Sequence, residues 1–158
     1  MRWWDVDIVA PLAQRLFAAE APWSAESFWA ELAGVPDTRW YVVAEVDGHV
    51  VGYAGLTSPS MAGEPADLQT IGVEPGHQRQ GIGTRLMRAV IAEARRRDAG
   101  DLMLEVRADN DAARAFYARH GFERLAIRRN YYRGNRDAIV MRRRLPRRPG
   151  DEPAGRQR

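Results

Sequence analysis

Two side chains in this sequence could move protons during a reaction, a carboxylate at Glu105 and a phenol at Tyr117. Glu105 lies in the apolar run 102–106, where desolvation would raise the pKa of a carboxylate toward a value useful for a general base. Tyr117 has an ordinary pKa of about 10, so its phenol stays protonated at neutral pH and can donate to a departing anion. Glu105 could instead form a surface ion pair with Arg107, two residues along the same strand face. Tyr117 could also be a core aromatic like its neighbour Phe116, and the residues alone leave these alternatives open.

A glycine-rich turn at residues 78–84 could hold a phosphate group. Glycines at 81 and 83 let backbone N–H groups point inward, and the start of the following helix adds a positive dipole. The turn is not a Walker A loop, because Ile82 stands where that motif has lysine. It is not a dinucleotide fingerprint either, since Leu86 occupies the third glycine position. Taken alone, the turn fits a purely structural role equally well.

Hydrophobic periodicity predicts the elements that must position these residues. A helix is expected from an N-cap at Asp7 to about Glu20, with Ile8 on its apolar face, and Ser24 should cap a second helix. Asp47-Gly48 indicates a tight hairpin between two strands. Further elements are predicted at 25–32 (helix), 39–46, 49–56 and 66–73 (strands), 81–97 (helix), 102–106 (strand), 110–120 (helix, capped by Asn110), 122–127 and 137–141 (strands). This order predicts an α/β fold with a mixed sheet wrapped by helices.

Composition excludes several classes of site. The 158 residues include no cysteine, which excludes a disulfide scaffold, a thiolate zinc site and a cysteine nucleophile. The three histidines are scattered, so no metal is expected. The absence of a long apolar run or signal peptide predicts a cytoplasmic protein with no membrane association.

The positive charge is concentrated near the C-terminus. Residues 146–158 hold four arginines and two acids, a net +2 of the +3 for the whole chain, which leaves +1 for residues 1–145. A nearly neutral body does not suit a surface that tracks phosphates, so no direct nucleic-acid contact is expected. We therefore predict a folded domain at 1–145 and a disordered, arginine- and proline-rich tail at 146–158.

The spacing Gln78-x-x-Gly81-x-Gly83, between a strand and a long amphipathic helix, resembles the acetyl-CoA pyrophosphate motif of the GCN5-related N-acetyltransferases (GNAT). Further elements of the resemblance follow in the expected order, at 104–107, Asn110, 116–117 and 121–122. The run Ile-Arg-Arg-Asn-Tyr-Tyr at 127–132, with Pro-Trp-Ser at 22–24, is similar to the ribosomal-protein-alanine N-acetyltransferases of the RimI type. The resemblance covers residues 1–145.

This resemblance implies a GNAT fold, with a mixed central sheet of about seven strands flanked by about four helices. It implies acetyl-CoA as co-substrate, with no metal. In that family the strand before the glycine turn binds the pantetheine arm through its backbone, and the turn holds the pyrophosphate. The matching positions here are Ile71, Gly72 and Val73 for the arm, and Arg79, Gln80, Gly81, Ile82, Gly83 and Thr84 for the pyrophosphate, with Asn110 as a further cofactor contact.

The resemblance also implies roles in catalysis and substrate binding. Glu105 would be the general base, directly or through a water molecule, and Tyr117 the general acid that protonates the departing CoA thiolate. Because there is no cysteine, the amine would attack the thioester directly. Trp23, Tyr131 and Tyr132 are candidates to line a peptide groove, although the two tyrosines could equally pack a β-hairpin.

The acceptor implied by the resemblance is the N-terminal alanine of a small-subunit ribosomal protein, or a similar peptide. An α-amine, with a pKa of about 8, is easier to deprotonate than a lysine amine at about 10.4. A relaxed-specificity enzyme that acetylates lysine side chains or small-molecule amines is an alternative. A non-catalytic CoA-binding sensor or ribosome-associated adaptor is another, from a different class.

Overall fold

The structure, a computed structural model, describes residues 1–20 and 23–146. Within them the chain forms four α-helices and six β-strands. The helices are α1 (Val6–Leu16), α2 (Ala25–Leu32), α3 (Ile82–Arg96) and α4 (Asp111–Arg119), and the strands are β1 (Arg39–Val46), β2 (His49–Thr57), β3 (Ala66–Val73), β4 (Asp101–Arg107), β5 (Glu123–Tyr132) and β6 (Arg136–Arg144). Pro22 and nearly all of the predicted tail, from residue 147 onward, lie outside the described residues.

One mixed sheet contains all six strands, in the order β1-β2-β3-β4-β6-β5. Only the central pair, β3 and β4, is parallel, and the other neighbours are antiparallel. The predicted α/β class and mixed sheet are confirmed, with six strands in the described residues where about seven were expected. The described chain before Arg39 supplies no strand, because its apolar residues repeat at helical spacing.

The β1–β2 hairpin turns at Asp47-Gly48, as predicted. Both residues have positive φ, 50° and 78°, which is the conformation that the twist of a two-residue hairpin requires. Ser24 caps α2 as predicted, since its hydroxyl accepts a hydrogen bond from the Ser27 amide at 3.3 Å. These are local features, and the local sequence suffices to specify them.

The first helix differs from the prediction. It begins at Val6, after Asp5 and not after Asp7, and ends at Leu16. A separate 3-10 turn, Ala18–Glu20, follows it. Ile8 is 51% exposed, because 100° per residue places it opposite the buried face. That face consists of Val6, Val9, Ala10, Leu12 and Ala13.

Two apolar clusters hold the helices on the sheet. The larger one buries the inner side of α3, with Leu86, Met87 and Val90, against the sheet. In the smaller one, α1 and α2 pack against Tyr41 and Tyr53. No helix in the described part of the chain is long and apolar enough to cross a membrane.

Met87 provides a test of the larger cluster. Its side chain is fully buried at 0% exposure, so Met87→Ala should lower the free energy of unfolding by about 2–5 kcal/mol through lost burial and a new cavity. The matched control is Met61→Ala, at a position that is 66% exposed, where a change within about 0.5 kcal/mol is expected. Urea unfolding measures both, and equal effects would contradict this account of the core.

Candidate active site

Strands β3 and β4 are paired over a short length and then part. Their backbones pair at Ala66 with Leu102 and at Asp67 with Met103. Beyond this point β3 remains paired with β2 as far as Val73, and β4 with β6 as far as Arg107. The edge of β3 that faces β4 is therefore unpaired from Leu68 onward among the described strands. Its backbone N–H and C=O groups are available to a ligand that lies alongside.

The glycine turn stands at the far end of β3. Gly81 has φ +81° and ends the turn directly before α3, a conformation that strains any residue with a Cβ atom. The first backbone hydrogen bond of the helix runs from the Arg85 N–H to the Gly81 carbonyl at 3.0 Å. The N–H groups of Ile82, Gly83 and Thr84 precede that bond, so they are free to bind an anion at the helix start.

Polar side chains also fix the shape of this turn. The Gln78 amide donates to the Val73 carbonyl at 2.9 Å, and the Gln80 amide donates to the Gly76 carbonyl at 3.2 Å. Arg79 lies between them with φ +63°. The predicted pyrophosphate residues thus form a hydrogen-bonded turn, 79–81, and the first residues of α3, 82–84.

An open cavity of about 660 Å³ occupies the space between the parted strands. It collects most of the other predicted site residues, which come from separate parts of the chain. Those in its wall are Trp23, Ile71, Glu105, Asn110, Tyr117, Tyr131 and Tyr132. Gly72 and Val73 continue β3 from there toward the glycine turn, so the structure arranges the whole predicted site along one path.

Glu105 is partly buried in the cavity wall and does not pair with Arg107. Its carboxylate lies 3.0 Å from the guanidinium of Arg128 on β5. Arg107 instead binds Asp109 at 2.8 Å and lies 3.6 Å from Glu20. The alternative of an ion pair between Glu105 and Arg107 is therefore wrong. Glu105 pairs with Arg128, and Arg107 pairs with Asp109 and Glu20.

The two adjacent aromatic residues of α4 face different neighbours. Tyr117 lines the cavity, and its ring lies 5.9 Å from that of Phe122. Phe116 turns toward the start of α3, where a Cβ on Gly83 would meet its ring at 3.4 Å. Burial, and then the nearby charges of Glu20 and Tyr132, raise the pKa of the Tyr117 phenol, so it is held in its proton-donating form.

Asn110 positions α4 beside the cavity. Its side-chain oxygen accepts a hydrogen bond from the Ala113 amide at 3.0 Å, which confirms the predicted cap. The same residue lines the cavity, so its side chain is available both to the helix and to a ligand.

A bulge in the β5–β6 hairpin directs the two tyrosines to the cavity. The strand register is irregular between Arg128 and Tyr132. Asn130 there has φ +53°, and its backbone N–H donates to the Asp137 carboxylate at 2.9 Å. Such a bulge re-aims the side chains beside it. Hydrogen bonding to Glu105, and then desolvation, raise the pKa of Tyr131, which stands beside that carboxylate.

Four charged residues of the cavity wall were not among the predicted site residues: Glu20, Asp67, Arg107 and Arg128. Glu20 reaches the wall because the 3-10 turn redirects the chain after α1. Burial raises the pKa of Glu20, the Arg107 charge opposes that shift, and Asp109 adds to it. Arg128 belongs to the run 127–132, which the sequence analysis identified, but only the strand register places it beside Glu105. Nothing in the sequence pattern distinguishes Glu20 or Asp67 from surface acids.

Comparison with known proteins gives a consistent result. Residues 7–122 match the model of the acetyltransferase (GNAT) family. The chain is 43% identical over 144 residues to N-alpha-acetyltransferase RimI of Mycobacterium tuberculosis, covering 88% of this chain and 86% of that protein.

Solved structures agree with these matches. The crystal structure of the ribosomal-protein-S18-alanine N-acetyltransferase from Escherichia coli superposes with a TM-score of 0.80 at 31% identity, over 96% of this chain and 95% of that one. Ard1 from Thermoplasma volcanium superposes with a TM-score of 0.83 at 27% identity, over 92% of this chain and 95% of that one. The predicted GNAT fold is confirmed.

The raised pKa of Glu20 predicts a pH-dependent stability. Because its pKa is higher in the folded than in the unfolded chain, stability from protonated Glu20 is present at low pH and lost as pH rises through the folded-state pKa. Glu20→Gln removes this loss. The free energy of unfolding of the variant minus that of wild type should therefore increase between about pH 4 and pH 7. Urea unfolding across that range measures the difference.

Glu26→Gln on α2 is the matched control. Hydrogen bonding to Ser24 lowers the pKa of Glu26, so its carboxylate adds stability that is lost on acidification. The free energy of unfolding of Glu26→Gln minus that of wild type should therefore decrease as pH rises, which is the opposite of the change expected for Glu20→Gln. A flat or falling difference for Glu20→Gln would contradict the desolvation of Glu20.

Proposed function

The chain belongs to the GNAT acetyltransferase family and, within it, to the RimI-type N-alpha-acetyltransferases, and from that premise we propose that it acetylates the N-terminal alanine of ribosomal protein bS18. The observation that carries the proposal is the convergence of Glu105 and Tyr117 on one cavity beside the unpaired edge of β3. A base, an acid and a backbone edge for a cofactor are what direct acetyl transfer to an amine needs.

GNAT acetyltransferases use acetyl-CoA, and the residues present fit that co-substrate. The free edge of β3 at Ile71, Gly72 and Val73 offers backbone groups to the amides of a pantetheine arm. The N–H groups at the start of α3, together with the Arg79 and Gln80 turn, suit the charge of a pyrophosphate. Asn110 would add a cofactor contact from α4. When bound, acetyl-CoA supplies the acetyl group as a thioester.

Glu105 acts in this proposal as the base. The substrate amine must be neutral to attack a carbonyl carbon, so its proton passes to the Glu105 carboxylate, directly or through a water molecule. Arg128 at 3.0 Å holds that carboxylate in place. The attack forms a C–N bond and breaks the C–S bond, with no covalent intermediate on the protein. The nitrogen then releases its remaining extra proton to water as it becomes a neutral amide.

Tyr117 acts as the acid. Breakage of the C–S bond leaves a thiolate, and the phenol of Tyr117 donates its proton to that sulfur. The position of Tyr117 in the same cavity wall as Glu105 supports this role. Its raised pKa keeps the phenol protonated but also makes it a weaker acid, so the proton moves only as the sulfur gains charge.

The peptide would enter between α2 and the β5–β6 hairpin. Trp23, Tyr131 and Tyr132 stand in the cavity wall on these two sides. Trp23 is fixed by edge-to-face packing on Phe28, with ring centroids 5.3 Å apart. Rigid aromatic groups with polar tips suit a peptide backbone.

We place the catalytic unit in residues 1–145, and a cytoplasmic location stays a prediction.

Glu105→Gln tests the assignment of the base. The variant keeps the shape of the side chain and cannot accept a proton, so kcat/KM for an alanine-starting peptide should fall by about 10²–10⁴-fold. Binding of acetyl-CoA, measured by calorimetry, should be unchanged. Glu123→Gln, on the exposed outer strand, is the matched control and should behave as wild type. Wild-type kcat/KM in Glu105→Gln from pH 6 to pH 9 would overturn the assignment.

A peptide competition tests the acceptor. The full chain and acetyl-CoA are given a peptide that begins with the first residues of bS18 and carries an internal lysine, together with the same peptide blocked at its N-terminus. We expect acetylation of the α-amine alone, because that amine is the easier one to deprotonate. Mass spectrometry of the fragments locates the group.

Two other outcomes of the competition would contradict the proposal. Acetylation of the blocked peptide at lysine would mean a relaxed-specificity enzyme. Tight binding of acetyl-CoA without acetylation of either peptide, or of a panel of small amines, would mean a non-catalytic CoA-binding protein.

A further inference from the structure

Asp67 lies at the point where β3 and β4 part. It is the last residue of β3 to pair with β4, directly opposite Met103. Side chains of paired residues lie on the same face of a sheet, and so do residues two apart along a strand. Asp67, Met103 and Glu105 therefore share one face, and all three line the cavity. Asp67 stands at its inner end, one step beyond Glu105.

The environment of Asp67 differs from that of Glu105. Glu105 has the Arg128 guanidinium at 3.0 Å, whereas Asp67 forms no ion pair with any described residue. Desolvation, and then the charge of Glu105, raise the pKa of Asp67. Solvent still reaches the Asp67 side chain, which is exposed, and the neighbouring carboxylate repels its charge. A cation placed between the two would relieve both effects.

The other charged groups facing this space do not supply that cation. Arg107 pairs with Asp109 and Glu20, and Arg128 pairs with Glu105. The incoming substrate does carry a cation, since an α-amine with a pKa of about 8 is mostly protonated at pH 7.

We propose that Asp67 binds the α-ammonium group of the substrate and holds it beside Glu105 until Glu105 removes a proton. The inference rests on the proposed function, since it needs an N-terminal amine in this cavity. The ammonium donates one N–H hydrogen bond to Asp67, and a second N–H faces Glu105 directly or through water. Asp67 is thus an amine-binding residue, and the proton, once transferred, resides on Glu105.

The test compares two peptides that differ in the amine alone. One begins with alanine, and in the other a propionyl group replaces that residue, so that hydrogen stands where the ammonium was. Their Kd values are measured at pH 7 on the full chain with CoA present, which allows no turnover. Wild type should bind the alanyl peptide about tenfold or more tightly, the scale of a charged hydrogen bond.

Asp67→Asn keeps the size of the side chain and removes its charge. In this variant the preference for the alanyl peptide should shrink by about tenfold, with the propionyl peptide bound as by wild type. Asp67→Glu should retain most of the preference. Asp47→Asn is the matched control, since it removes one charge at an exposed hairpin turn where asparagine tolerates the positive φ. It should match wild type.

Steady-state kinetics separate a binding role from general damage. Asp67→Asn should raise KM for the peptide and leave KM for acetyl-CoA unchanged, which a misfolded variant would not do. If Asp67→Asn keeps the wild-type preference for the alanyl peptide while wild type acetylates that peptide, the Asp67 inference is wrong and the proposed function stands. If wild type does not acetylate the alanyl peptide, the proposed function is wrong, and this inference with it.

Discussion

The parting of β3 and β4 is the constraint on which the rest of the site depends. Two parallel strands at the centre of a sheet would ordinarily pair along their whole length, which satisfies every backbone group. Here the pairing stops after Ala66–Leu102 and Asp67–Met103. The cavity exists because the strands diverge, and the free edge of β3 exists for the same reason. Each strand remains firmly paired on its outer side, so the opening does not unravel the sheet.

The position of this opening also determines which side chains meet. β3 leads into the glycine turn, so the start of α3 stands at one end of the open edge. β4 carries Glu105 along the opposite side. After β4, Asn110 starts α4 and sets the rotation of that helix, which directs Tyr117 inward and Phe116 toward α3. Distant parts of the sequence therefore meet at the cavity through two local features, the glycine turn before α3 and the Asn110 cap before α4.

The parts of the site that could be predicted from the sequence are those that short-range physics determines. The bounds of α2 and β3 agree with the predicted 25–32 and 66–73 because hydrophobic period, capping serine and flanking breakers all lie within a few residues. The glycine turn and the Asn110 cap are local in the same sense. The family resemblance supplied the roles of Glu105 and Tyr117, which no spacing could provide.

The parts that could not be predicted depend on pairing between distant strands. Arg128 lies beside Glu105 because Val140 of β6 pairs with Glu105 on one side and with Ala126 on the other. The sequence suggested Arg107 as an ion-pair partner of Glu105, but Arg107 pairs with Asp109 and Glu20 instead. Glu20 lies at the cavity because α1 ends at Leu16, where the next residue, Phe17, leaves the helical conformation.

The charges of the cavity favour the substrate, which carries an ammonium group, over the product, which carries a neutral amide. Its wall holds three carboxylates, at Glu20, Asp67 and Glu105, and two guanidinium groups, at Arg107 and Arg128, of which Arg107 is shared with Asp109. On the proposed function, an ammonium group supplies the missing positive charge when the peptide enters. Acetylation converts that group into a neutral amide, and once Glu105 has passed its proton to water the excess negative charge of the wall is no longer offset. The attraction that favours binding of the substrate is thus absent for the product, so the reaction itself weakens the hold of the site on the peptide and favours its release.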